Sequence, residues 1–279
     1  MDWNLLRSVS RSFFLTIRLL PREVREPIAL GYLLARASDC IADTSGADAE
    51  RRIEALQQLR HFDIAQHALS SLAEHQENPD EAALLRALPG LLDRLEASPA
   101  RERLEWVWGH ILRGQLFDLA RFEQDSSPLD AEELDEYVFL VAGCVGEFWT
   151  RLCAESLRDF SDKPAGELVS EGIAYGRGLQ LVNILRDRGG DAAIGRVYVP
   201  DARFDEVKQQ AREGLEAGLR WVGAVNNGRV RFACVPPARI GLETLERIEI
   251  DSGPVKISRD AVRRVLAAAI PALWSRGRR

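Results

Sequence analysis

An all-α fold is what this chain predicts, and three observations carry the prediction. Apolar residues recur at helical spacing along most of its length. Prolines and glycines fall where they punctuate helices rather than hairpins. The alternation that marks strands is nearly absent, apart from Val197-Tyr198-Val199-Pro200. The 279 residues are 46% hydrophobic and 29% charged, enough to bury a large core. No internal repeat, low-complexity tract or linker divides them, so the expectation is a single α-domain over residues 1–279.

Taken in order, Pro21-Arg22-Glu23 puts proline and an acid in the first turn of a helix. The apolar run 28–34 extends it, and Thr44-Ser45-Gly46 ends it. Residues 49–75 carry helical spacing at Ile53, Leu56, Leu59, Ile64 and Leu69. Pro79, Pro89 and Pro99 mark joints between further helices, the last opening one through Leu104, Val107, Ile111 and Leu116. Pro128-Leu129-Asp130 starts a long helix whose centre, 138–153, is apolar nearly all round, as in a helix buried inside a bundle. Pro164 opens another, whose otherwise apolar surface bears Gln180, Asn183, Asp187 and Asp191 as one polar stripe.

Bulk properties exclude several functions. A net charge of −6 argues against nucleic acid as a partner. Cys40, Cys144, Cys153 and Cys234 are scattered, without a C-x-x-C, which argues against structural zinc and a disulfide framework and fits a reducing cytoplasm. Met1-Asp2-Trp3-Asn4 shows no signal-peptide pattern. No uncharged stretch reaches the roughly 18 residues of a membrane span.

The chemistry concentrates in two acidic pairs, Asp39 with Asp43 and Asp187 with Asp191, each spaced i and i+4 and each beside an arginine, Arg36 or Arg186. On a helix that spacing points two carboxylates at one spot, where they repel by a few tenths of a kcal/mol unless a cation sits between them. Mg²⁺ suits such a place, because it takes one or two carboxylates together with substrate phosphates. One pair alone reads as the solvated face of an amphipathic helix. Two pairs, on largely apolar helices, read as a metal site, and facing each other across a cavity they would clamp a diphosphate. Gly189-Gly190 and Gly195 read as a glycine-bearing turn after which Arg196 folds back over that diphosphate. Ser10-Arg11-Ser12-Phe13-Phe14 sets two hydroxyls and a cation beside aromatics, either as a helix cap or as a phosphate contact next to an apolar pocket. Gly143 and Gly146, inside the apolar helix, require a close neighbour, either another helix or a hydrocarbon ligand.

Together these residues resemble the squalene and phytoene synthase family, the head-to-head prenyl synthases, from Ser10 to about Ala261. The shared stretches are Ser10-Arg11-Ser12-Phe13, the run 32–43, Tyr137 with 141–146, the run 180–187, and Gly195-Arg196-Val197-Tyr198-Val199-Pro200. The resemblance implies an isoprenoid-synthase helical bundle around a central cavity, prenyl diphosphate substrates and a Mg²⁺ cluster. It implies two half-reactions, through a cyclopropyl intermediate. By position, Asp39, Asp43, Asp187 and Asp191 would hold metal, and Arg36, Arg186 and Arg196 would meet diphosphate. Tyr137 would assist proton removal and Phe13 would line the cavity near the cation. Ser10, Arg11, Ser12, Gln180 and Asn183 would contact substrate. Cys40 stands where many members carry a second aspartate, and Leu140 where an aromatic is frequent. The segment 255–259 is similar to one that helps squalene synthases bind NADPH, which would give Lys256 and Arg259 that role and favours squalene over phytoene, dehydrosqualene or hydroxysqualene as product. A cytoplasmic enzyme, peripheral to a membrane for product release, is the corresponding expectation. Chain elongases, terpene cyclases and a non-catalytic assembly factor are the rivals. Elongases usually carry two Asp-Asp-x-x-Asp motifs, absent here, and assembly factors typically lose carboxylates that this chain keeps.

Overall fold

The structure, a computed structural model, describes residues 1–10, 13–44, 46–62, 64–249, 255 and 257–274. Among the described residues it is helical without a strand, and an isolated antiparallel bridge joins Ser161 to Val225. The strand-like run 197–200 is a bend instead. Its Val197 carbonyl accepts the Leu129 N–H at 3.1 Å, and the burial of Tyr198 and Val199 accounts for its apolar character. The chain divides into two compact units, Met1–Gln124 and Asp125–Arg279.

The first unit holds α1 (Trp3–Ser10), α2 (Phe13–Leu19), α3 (Arg22–Ala42), α4 (Ala49–Leu59), α5 (Gln66–Glu74), α6 (Pro79–Glu96) and α7 (Arg101–Gln124). Helix α3 lies against α6 and α7, burying Leu33, Leu34, Ala37 and Ile41 completely. The helical spacing over 49–75 is met by two helices, with the chain turning between them through a positive φ of 55° at Phe62. One expectation changes here. Pro89 lies inside α6 and marks no joint. An interior proline costs about 3 kcal/mol, and the buried stripe Leu84, Leu85, Leu88, Leu91 and Leu95 carries the helix across it.

In the second unit α8 (Ala131–Val138), a π-helical turn at 139–143 and α9 (Cys144–Ser156) form one rod. Asp130 and Glu133 start it with a reciprocal capping box. Then follow α10 (Ala165–Ala193), a 3-10 turn (Asp201–Arg203), α11 (Phe204–Ala224), α12 (Gly228–Leu245), α13 (Arg259–Ala269) and a last 3-10 turn (Ile270–Leu273). By length and composition alone, with Glu147 and Arg151 among its residues, the rod Ala131–Ser156 is long and apolar enough to cross a membrane. Half of its apolar window is buried inside the fold.

What the rod packs against answers the question its glycines raise. A Cβ on Gly146 would lie 1.9 Å from the Gly172 carbonyl oxygen, and one on Gly176 would lie 2.1 Å from that of Ala142. The close neighbour is therefore helix α10, in backbone-to-backbone contact, and not a hydrocarbon chain. Thr150 seals the contact, donating its hydroxyl to the Gly146 carbonyl at 2.8 Å and accepting the Trp221 indole N–H at 3.0 Å. Farther along, the buried Arg231 has backbone carbonyls as its partners. It donates to Val225 at 3.1 Å and to Ala272 at 2.9 and 3.2 Å, fastening the final turn to α12.

Gly146→Ala should therefore destabilise the protein by about 3 kcal/mol or more, since overpacking against backbone outweighs the gain in helix propensity. Gly90→Ala, at an exposed position in α6 with nothing within 4 Å of the new methyl, should stabilise by about 0.5–1 kcal/mol. Thermal melting of the two variants checks both signs.

Candidate active site

The first acidic pair sits at the C-terminal end of α3. Asp43 is the residue that ends the helix, and its N–H donates to the Asp39 carbonyl at 2.9 Å, so the i, i+4 register holds. Carbonyls in this last turn are met by side chains from elsewhere in the unit. Arg52 donates to Ala42 at 2.7 Å, while Gln76 and Thr44 donate to Cys40 at 2.7 and 2.6 Å. Burial pushes the Cys40 thiol up to about 12, so it stays neutral between the two acids.

Arg36, one turn before Asp39, donates Nη1 to the Asp39 carboxylate and Nη2 to Glu81 at 2.5 Å. Against the desolvation of its burial, the charges of Asp39 and Glu81 hold its guanidinium above the ordinary arginine range. Crowded surroundings, and after them the Asp43 charge, push Asp39 up to about 6 although Arg36 pulls the other way. The Asp39 side chain keeps 44% of its surface exposed, so solvent screens part of this.

The second pair sits at the C-terminal end of α10, in the other unit. Arg186 forms a two-pronged ion pair with Asp187 at 2.8 and 2.6 Å, and this bond is the main reason its guanidinium is held above the ordinary range. Gln180 is half-buried and Asn183 exposed on the same stripe. Gly189 and Gly190 lie within α10 rather than in a turn, so that expectation is corrected. The turn comes at Gly195, whose φ of +83° suits glycine. There the Arg196 N–H donates to the Asp191 carbonyl at 2.9 Å. Asp191, Arg196, Arg188, Tyr198 and Glu249 share the lining of a cavity of about 290 Å³, which Asp187 does not line.

Tyr137 is buried in the last turn of α8, and its ring stacks on that of Tyr198 at 5.2 Å and 18°. A π-helical turn begins two residues later, a distortion frequent at functional sites. Phe13 is 47% exposed on α2, 6.2 Å from the ring of Tyr32. Ser10 ends α1 with its hydroxyl buried and without a hydrogen-bond partner among the described residues. Arg11, Ser12, Lys256 and the side chain of Arg259 lie outside the described residues.

The acidic pairs suit a hard, oxygen-liganded cation. Each presents two carboxylates at the negative end of a helix dipole, where an unneutralised anion is disfavoured. No group of three or more His, Cys, Asp or Glu side chains placed to hold a metal ion occurs among the described residues. Sequence reasoning missed Glu81, Tyr198 and the caps Arg52 and Gln76. Asn78-Pro79-Asp80-Glu81 does announce an acidic helix start, but nothing in its wording says that the helix end points at Arg36.

The Asp39 shift fixes a pH dependence. A carboxyl raised from about 3.9 in the unfolded chain to about 6 contributes stability that is fully present below the lower value. That stability is lost as pH rises through the higher value. In chelator, Asp39→Asn should melt above the wild type at pH 7.5, and the gap should roughly halve by about pH 5 and close only towards about pH 4. A pH-independent gap in paired thermal melts would contradict this origin of the shift.

A family model described as squalene/phytoene synthase matches residues 6–208. The presqualene diphosphate synthase of Rhodopseudomonas palustris is 32% identical over 202 residues, which cover 72% of this chain and 62% of that protein. The bifunctional lycopene cyclase/phytoene synthase of Blakeslea trispora is 28% identical over 221 residues, 75% of this chain and 34% of that protein. The chain thus spans less than two thirds of the length of these relatives. Among solved structures, TcSQS in complex with the ligand E5700 superposes with a TM-score of 0.76, covering 97% of this chain and 87% of that one at 20% identity. The all-α fold is therefore the one this squalene synthase has. Both acidic pairs, the stacked Tyr137 and the arginine after the glycine turn fall within residues 6–208, and on that match the chain belongs to the squalene/phytoene synthase family.

Proposed function

We propose that the protein joins two prenyl diphosphates head to head, most simply two farnesyl diphosphates, and carries the cyclopropyl intermediate on to squalene with NADPH as hydride donor. The observation that carries the reading is the pair of Asp-x-x-x-Asp motifs, each at a helix C-terminus and each with an arginine on or beside its first carboxylate. Asp39 and Asp43, and Asp187 and Asp191, would hold Mg²⁺, which when bound neutralises charge on the leaving diphosphate.

The remaining work falls to the chain's own groups. Arg36, Arg186 and Arg196 bind diphosphate oxygens and stabilise the negative charge that grows as the allylic C–O bond breaks. The resulting carbocation attacks the double bond of the second substrate. Closing the cyclopropane releases a proton from carbon, and the Tyr137 phenol, held in place by its stack on Tyr198, assists its transfer towards the departed diphosphate. The first half-reaction thus converts two prenyl diphosphates into cyclopropyl diphosphate, inorganic diphosphate and a proton. In the second, the remaining diphosphate leaves, the skeleton rearranges, and hydride addition gives squalene. Without hydride, proton loss gives a dehydro product and water capture an alcohol. The Rhodopseudomonas relative supports a second reading, in which the reaction stops at the cyclopropyl diphosphate.

Incubation with farnesyl diphosphate and Mg²⁺, with and without NADPH, should give a C30 product whose mass registers the hydride. An NADPH-independent product mass removes the reductive half of the reading, and the absence of any condensation product from farnesyl or geranylgeranyl diphosphate removes the whole of it. Asp187→Asn should lower turnover about 10²–10³-fold, the scale on which one transition-state charge partner acts, while far-UV circular dichroism stays unchanged.

Tyr137→Phe should slow the first half-reaction about 10²–10⁴-fold, the usual contribution of a positioned proton-transfer group. Supplied presqualene diphosphate should still be converted at nearly the wild-type rate. Equal impairment of both halves would give the tyrosine a different role.

A further inference from the structure

We propose that Glu81 is a positioning residue that keeps Arg36 in place while Asp39 is occupied by a cation. The proposal rests on the reading of Arg36 as a diphosphate contact and of Asp39 as a metal ligand.

The geometry is a guanidinium shared between two unlike carboxylates. Arg36 donates Nη1 to Asp39 on its own helix and Nη2 to Glu81 on α6, the latter at 2.5 Å. Asp39 belongs to a repelling pair and keeps 44% of its side-chain surface exposed, whereas Glu81 keeps 19%. Glu81 is also anchored from behind. The Asn78 side-chain Nδ2 donates to the same Oε1 at 3.3 Å, while its side-chain Oδ1 accepts the Asp80 N–H at 3.0 Å and so caps α6. In the first turn of α6 the carboxylate lies at the positive end of the helix dipole, where an anion is favoured. Glu81 is thus a fixed counter-charge, and Asp39 a carboxylate that cations compete for.

That difference matters once a cation engages Asp39. The Asp39 oxygens then satisfy the incoming charge, their hold on Arg36 weakens, and the two positive charges repel. An arginine held by Asp39 alone would swing away on its long stem. Held by Glu81 through Nη2, the guanidinium stays at the end of α3 and its other edge becomes available to a diphosphate oxygen.

The test is binding of inorganic pyrophosphate in saturating Mg²⁺, measured by titration calorimetry on the full chain, with melting temperatures confirming the fold. Glu81→Gln, which keeps shape and removes charge, should weaken binding about tenfold. Glu81→Asp should recover part of the loss. In an Arg36→Ala background, Glu81→Gln should add less than about twofold, because its effect passes through Arg36. Wild-type affinity in Glu81→Gln, or the same loss with and without Arg36, overturns the proposal while leaving Arg36 as a diphosphate contact. Wild-type affinity in Arg36→Ala overturns that contact itself, and the proposal with it.

Discussion

Negative charge gathered at the C-terminal end of a helix sets the terms for this fold. The dipole of α3 already places a partial negative charge beside Asp39 and Asp43, and that of α10 does the same beside Asp187 and Asp191. Left alone, such an end would fray. It holds because nearby cations and donors take up the load: Arg52, Gln76 and Thr44 on the carbonyls of α3, Arg36 of the same helix on Asp39, Arg186 of α10 on Asp187, and the Arg196 N–H on the Asp191 carbonyl. The same arginines to which we assign diphosphate binding keep the carboxylates compatible with a folded helix. Under the proposed function, structural and catalytic demands would fall on the same side chains.

Rigidity in the second unit comes from a different source. The π turn, α9 and α10 meet through Gly146, Gly172 and Gly176, and α10 meets α11 through Gly178 and Gly214, where an added Cβ would lie 2.8 Å or less from backbone. Close backbone contact leaves little room for sliding, so the stacked pair Tyr137 and Tyr198 sits in a frame with one arrangement. The carbocation reaction we propose would profit from such a frame, since a proton-transfer group displaced by an ångström loses its geometry.

Much of this was legible in the sequence, and the rest was hidden for identifiable reasons. The helix starts at Pro21, Pro79, Pro128 and Pro164 were readable because proline, acids and caps act locally. The acidic pairs were readable because i, i+4 spacing fixes a face whatever surrounds it. Pro89 misled because the leucine stripe of α6 overrides a local breaker, and Gly189-Gly190 misled because glycine permits a turn without requiring one. The contact of Glu81 with Arg36 and the stack of Tyr198 on Tyr137 join residues 45 and 61 positions apart, a separation on which spacing carries no information.

The π turn at 139–143 makes the rod unusually sensitive to its own length. A turn with i→i+5 bonding absorbs one more residue than an α turn, so α8 and α9 meet out of simple α-helical phase. Each residue of an α-helix advances the face by about 100°. Shortening the rod by one residue between Tyr137 and Gly146 would restore regular bonding. It would also rotate one end away, leaving either the tyrosine off its aromatic partner or the glycine off the α10 backbone. Where a surface loop tolerates gain or loss of a residue, this stretch is counted, and a single-codon deletion there should be as damaging as the loss of a catalytic side chain.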